Sequence, residues 1–151
     1  MTISRRKAKG RCDSGSFVAM PHAILESETY ARLSAPAVKL MLDLYGQYRG
    51  SNNGDFGMAW STMKKRGWRS KDTLYRARDD LIEKGFVIQT RQGGRHQCSL
   101  YAVTWQPIDE CGGKLDCSST RVAPGYWKKG FIPKLESVPR IRTTLARQAY
   151  Q

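Results

Sequence analysis

Gly67-Trp68-Arg69-Ser70-Lys71-Asp72-Thr73-Leu74-Tyr75-Arg76-Ala77-Arg78-Asp79-Asp80-Leu81-Ile82-Glu83-Lys84-Gly85-Phe86-Val87-Ile88 is the stretch that decides the fold. Ser70 predicts an N-cap, and Asp72 sits in the first turn, where a carboxylate complements the helix dipole. Leu74, Ala77, Leu81 and Ile82 fall at i, i+3, i+7 and i+8, one apolar stripe on one helix. Gly85 ends that helix. Phe86–Arg91 and Cys98–Trp105 are β-rich runs joined by Gln92-Gly93-Gly94-Arg95-His96-Gln97, which predicts a hairpin with a Gly-rich tip.

Working outward on the N-terminal side, a short helix over about Ala59–Arg66 stops at Gly67, a residue suited to a left-handed cap. Only about four residues then separate two helices, a spacing that fits a helix-turn-helix. Before it, Gly50-Ser51-Asn52-Asn53-Gly54 is a turn cluster, and Phe56 suggests a short strand. Ser34, with Pro36 in the first turn, caps a helix running to about Tyr48. Its main apolar stripe reads Val38, Met41, Leu42, Tyr45, Tyr48, with Ala37, Leu40 and Leu44 as a second, as expected of a central helix. His22–Leu33 suggests one or two short helical turns with Ser27 as a cap.

The order of helix, turn, short helix, Gly-containing turn, capped helix and hairpin resembles the winged helix-turn-helix family. Gly67-Trp68-Arg69-Ser70, Thr73-Leu74, Arg76-Ala77, Leu81 and Gly85-Phe86-Val87-Ile88 carry the resemblance, over about residues 34–105. It implies an α+β fold with a three-helix core and a β-hairpin wing. The overall texture also resembles small regulators and replication-associated proteins of bacterial mobile elements and phages. Three blocks are expected: a flexible basic arm at 1–16, the winged helix-turn-helix domain at 17–106, and a basic, irregular, partly ordered C-terminal extension at 107–151. In the last, Tyr126-Trp127 and Phe131-Ile132, with Leu135 and Val138, offer anchors between Gly and Pro breaks. Arg140–Tyr150 suggests a short helix.

Charge points to a polyanionic partner. The chain of 151 residues has 26 Lys and Arg against 13 Asp and Glu, a net charge of +13. Lys64–Arg78 alone has seven basic residues against Asp72, a net +6, while the rest of residues 17–106 is slightly negative. A solvated helix face does not predict that focusing. In a recognition helix, Arg76 offers a bidentate fork to guanine, and Thr73 or Tyr75 reaches a thymine methyl or a phosphate. Lys71 also lies on the DNA-facing side of that helix; Lys64, Lys65, Arg66 and Arg69 suit phosphates, as do the Ser70 hydroxyl and the helix N-terminus beside it. Arg91, Arg95 and His96 flank the wing tip, suited to the minor groove or the backbone. Arg78 reads as a core-edge residue and Trp60 and Trp68 as packing residues.

Other classes have little support. His22 and His96 are the only histidines, no phosphate loop or nucleophile elbow is present, and Asp79-Asp80 and Asp109-Glu110 are merely adjacent. Neither catalysis nor a cofactor is expected. Cys12, Cys98, Cys111 and Cys117 include no CxxC pair, so neither a zinc site with His96 nor a Cys111–Cys117 disulfide is expected. Cys98 shares strand parity with Leu100 and Ala102, which predicts a small buried hydrophobe. No membrane span or secretory signal is read, so the chain is expected in the cytoplasm, on the nucleoid when bound. The expected function is sequence-specific binding of double-stranded DNA in transcriptional control. Origin recognition or an accessory role in replication of a mobile element, and a winged-helix protein–protein adaptor, are the rivals. The partner is duplex DNA, with a homodimer left open and no small-molecule ligand evident.

Overall fold

In a computed structural model the described residues are 15–129. Most of the basic arm with Cys12, and the readings made on Phe131, Ile132, Leu135, Val138 and Arg140–Tyr150, lie outside them. The fold is α+β, with five helices and a three-stranded antiparallel sheet among the described residues. No helix there is long and apolar enough to cross a membrane.

Serine caps start three of these helices where the sequence places them. Two single-turn helices come first, α1 (His22–Leu25) and α2 (Glu28–Ala31), and the Ser27 hydroxyl accepts the Tyr30 amide at 3.1 Å. In α3 (Ala35–Tyr45) Ser34 accepts the Ala37 amide at 3.3 Å, and Pro36 fits the first turn because its missing N–H has no partner there anyway. The helix ends at Tyr45, short of the expected Tyr48. Its buried face is Ala37, Leu40, Met41, Leu44 and Tyr45, whereas Leu42 is 54% exposed. The expected main stripe is corrected accordingly: Tyr48 lies beyond the helix and is half-buried, as is Val38.

Strand β1 (Phe56–Gly57) leads into α4 (Trp60–Lys65), the Gly67 turn at φ +92°, and α5 (Lys71–Glu83). Leu74, Ala77 and Leu81 of α5 are buried against α3. The two helices are also locked end to end: one Asp80 carboxylate oxygen accepts the Ser34 amide at 3.0 Å and the Ser34 hydroxyl at 2.9 Å, and the other accepts Lys84. Partial burial works against the Asp80 charge, but these bonds prevail and hold its pKa below the usual carboxylate value.

The hairpin is β2 (Val87–Arg91) and β3 (Leu100–Val103), and β3 is the central strand, flanked by β1 and β2. The register shifts between Gln89 and Arg91, and regular pairing begins only at Leu100. Cys98 therefore lies outside the strand and is exposed, which corrects its reading as a buried hydrophobe.

Residues 107–129 pack back onto this framework. The Asp116 amide donates to Thr90 O at 2.9 Å and the Gly125 amide to Thr104 O at 2.7 Å. Trp127 is 7% exposed and stacks on Phe86, centroids 6.3 Å apart and planes within 10°. Gly85 has φ +78°, and a Cβ there would meet the Tyr126 carbonyl carbon at 2.8 Å, so this glycine serves both the helix stop and the return of the chain. Asn53, fully buried, knits the turn to β3: its side-chain amide donates to the carbonyls of Val103, Gln106 and Pro107 and its oxygen accepts the Val103 amide at 2.9 Å.

Candidate nucleic-acid interface

The α4–α5 connection is built around Trp68. It is 5% exposed, and its indole N–H donates to Asp43 Oδ2 at 2.8 Å. Asp43 lies on the buried side of α3 and also receives Lys39 Nζ at 2.8 Å, while Arg66 Nη1 stands 3.5 Å from its second oxygen. Lys39 in turn donates to the Arg66 carbonyl at 2.9 Å. One carboxylate of the first long helix thus fixes the turn on which the start of α5 rests. Arg66, expected on phosphate, is partly engaged inside this network.

Around that turn the remaining cations face water. Lys64, Lys65, Arg69 and Lys71 are exposed and make no salt bridge among the described residues. A shallow depression of about 430 Å³ brings Arg69, Ser70 and Thr73 together with Lys39 above an apolar floor of Ala35, Pro36 and Trp68. Ser70 accepts the Thr73 amide at 3.3 Å, so its oxygen caps the helix first. Arg76 is exposed, with its Nε 3.1 Å from Asp72 one turn earlier. In water such a pair is worth only a few tenths of a kcal/mol and yields to a better acceptor.

Tyr75 is 44% exposed, and the Arg78 guanidinium lies 5.1 Å from its ring centre. Burial works against the Arg78 charge, but hydrogen bonds to Asp79 and Tyr101 overcome it and raise its pKa above the usual arginine value. The Lys71 ammonium sits 5.9 Å from the Trp60 ring centre.

In the hairpin, Gly94 and Gln97 form an isolated bridge, so Arg95 and His96 are the two residues of the tip, both exposed. Arg91 is placed differently from expectation. Its Nε and Nη2 donate to the Cys98 carbonyl at 3.3 and 2.9 Å, bracing the root of the hairpin instead of flanking its tip.

Of the expected residues, Lys64, Lys65, Arg69, Ser70, Lys71 and Thr73 gather at the turn, Tyr75 and Arg76 continue along α5, and Arg95 and His96 stand apart on the hairpin. Lys39 and Asp43 were not anticipated, although their i, i+4 spacing is the signal that could have found them.

Among the described residues no group of three or more His, Cys, Asp or Glu is placed to hold a metal ion, and Cys98, Cys111 and Cys117 are free thiols. Burial, with nearby carboxylates, raises the Cys111 thiol above its usual pKa, and burial does the same for Cys117; both are poor nucleophiles at neutral pH. Comparison of the chain with family models, with curated proteins and with solved structures finds no match.

Proposed function

We propose that the chain binds double-stranded DNA sequence-specifically as a winged helix-turn-helix protein acting in transcriptional control. In this reading α5 enters the major groove, the α4–α5 turn grips the backbone, and the β2–β3 hairpin is the wing. The observation that carries it is the cluster of exposed cations at that turn, Lys64, Lys65, Arg69 and Lys71, which make no salt bridge among the described residues, beside the exposed start of a capped helix. Four such charges held together repel one another unless a polyanion neutralises them. Arg95 and His96 extend the same chemistry to the hairpin tip.

Salt dependence tests the reading directly. If about six phosphates are neutralised, log K falls with log salt at a slope near −5, a loss of roughly a thousandfold between ~50 and ~200 mM salt. A flat salt response, or binding to single strands alone, overturns it.

Two substitutions separate base reading from phosphate binding. Arg76→Ala is expected to cost about 1–3 kcal/mol at the selected site and to relax preference at one base. Lys65→Ala weakens all duplexes about equally and flattens the slope by roughly one unit. Identical behaviour of the two variants in a binding-site selection would show that α5 does not face the bases.

A further inference from the structure

A cleft of about 250 Å³ opens between α5 and the root of the hairpin. Trp60 lines it from α4, Tyr75 and Arg78 from one face of α5, and Cys98, Ser99 and Tyr101 from the second arm of the hairpin. Tyr101 is 1% exposed and Tyr75 44%, so the cleft runs from the core to the surface. Two of its rings carry a cation, Lys71 beside Trp60 at 5.9 Å and Arg78 beside Tyr75 at 5.1 Å. None of the described residues that line it is acidic. The carboxylate that pairs with Arg78 is Asp79, with its own side chain 65% exposed and open to displacement by a stronger anion.

Size and chemistry together narrow the ligand. The volume falls below the ~300–1,000 Å³ of pockets that hold drug-sized ligands, which leaves room for about one ring system. Aromatic walls favour a planar partner, because any nucleobase offers a π-face for stacking. Guanidinium and ammonium groups beside those walls favour an anion attached to it. A ring joined to a phosphate meets both demands, whereas a base pair within intact duplex is too large and keeps its faces stacked.

We propose that this cleft takes one unstacked nucleotide of the DNA held on α5, its base against Trp60 and Tyr75 and its phosphate toward Lys71 and Arg78. The inference rests on the DNA-binding reading and adds a preference for duplex that adjoins an unpaired nucleotide. A free mononucleotide shares the chemistry, so the experiment separates the two sources.

The test uses the full chain and fluorescence anisotropy on a blunt duplex carrying the selected site and on the same duplex with a short single-stranded end. Thymidine monophosphate alone is titrated in parallel, followed by tryptophan fluorescence. Trp60→Leu removes one stacking wall, and Cys98→Phe fills the cleft while leaving its walls in place; thermal melting checks that both fold. The extended duplex is expected to bind about tenfold more tightly than the blunt one. Both variants should lose that gain and keep the blunt-duplex affinity. Equal affinity for the two duplexes in the wild type, or a gain that survives Cys98→Phe, overturns the inference and leaves duplex binding standing. Saturable binding of the mononucleotide with no gain on the extended duplex overturns the DNA source. Failure of every duplex and of the nucleotide overturns both readings.

Discussion

Replacing Trp127 by alanine is expected to lower stability by about 3–5 kcal/mol, the cost of emptying a large aromatic site in a packed core. The indole is 7% exposed and lies flat against Phe86, itself fully buried where the chain leaves α5 for β2. The Thr29 hydroxyl donates to the Trp127 carbonyl at 3.1 Å, so the same residue ties α2 to the segment that returns after β3. Among the described residues the buried indole N–H has no acceptor. The stabilisation therefore resides in the ring and not in a hydrogen bond. That distinction makes the prediction sharp: Trp127→Phe keeps most of the stacked surface, removes the unpaired N–H, and should cost only about 1 kcal/mol. Urea denaturation with two-state analysis measures both. If Trp127→Ala unfolds at the wild-type midpoint, residues 107–129 do not belong to the cooperative unit. Deleting residues 118–151 should then be equally harmless, whereas the packing requires it to be at least as damaging as the point substitution.

What the sequence revealed and what it hid divides by range. Ser27, Ser34 and Ser70 each cap a helix by accepting an amide three residues on, a contact written entirely within four residues. The α5 stripe and the Gly85 stop are similarly local, and so is the existence of the hairpin. The contacts that fix these pieces relative to one another span tens of residues and leave no periodic trace. Trp68 reaches Asp43 across 25 positions, Ser34 reaches Asp80 across 46, and Asn53 reaches Val103 across 50. An aspartate in a helical pattern reads as solvent-facing, so the i, i+4 spacing of Lys39 and Asp43 was legible but the burial of Asp43 and its bond to Trp68 were not. The site divides in the same way. Composition locates a positive window at Lys64–Arg78, but only geometry tells which cations the protein uses internally. Arg66 faces Asp43 and Arg91 braces the hairpin, whereas Arg78, between Tyr75 and an exposed Asp79, lines the cleft beside α5. Lys64, Lys65, Arg69 and Lys71 are left to act outward.

Asp43→Ala is expected to be nearly as damaging as the loss of Trp127, for a different reason. Asp43 is 9% exposed, and its carboxylate accepts the indole N–H of Trp68, a residue 5% exposed, at 2.8 Å. Alanine strands that buried donor, which costs about 1–3 kcal/mol. The pairs with Lys39 and Arg66 add less than their distances suggest, because both basic side chains are 45% exposed and water screens them. A total near 2–4 kcal/mol follows. Asp43→Asn separates the two parts. It keeps an oxygen for Trp68 and gives up only the charge, so its stability should fall by about 1 kcal/mol. The functional consequences should then run in opposite directions. Asp43→Ala loosens the turn that positions the start of α5, and affinity for the selected duplex should drop at least about tenfold, roughly 1.4 kcal/mol. Asp43→Asn releases Lys39 and Arg66 from their internal counter-charge, and non-specific duplex should bind at least as tightly as to the wild type. Denaturation and anisotropy on the same two proteins decide the matter. Equal stability of the alanine and asparagine variants would mean that the Trp68–Asp43 bond does not anchor the turn, and the orientation of α5 would need another cause.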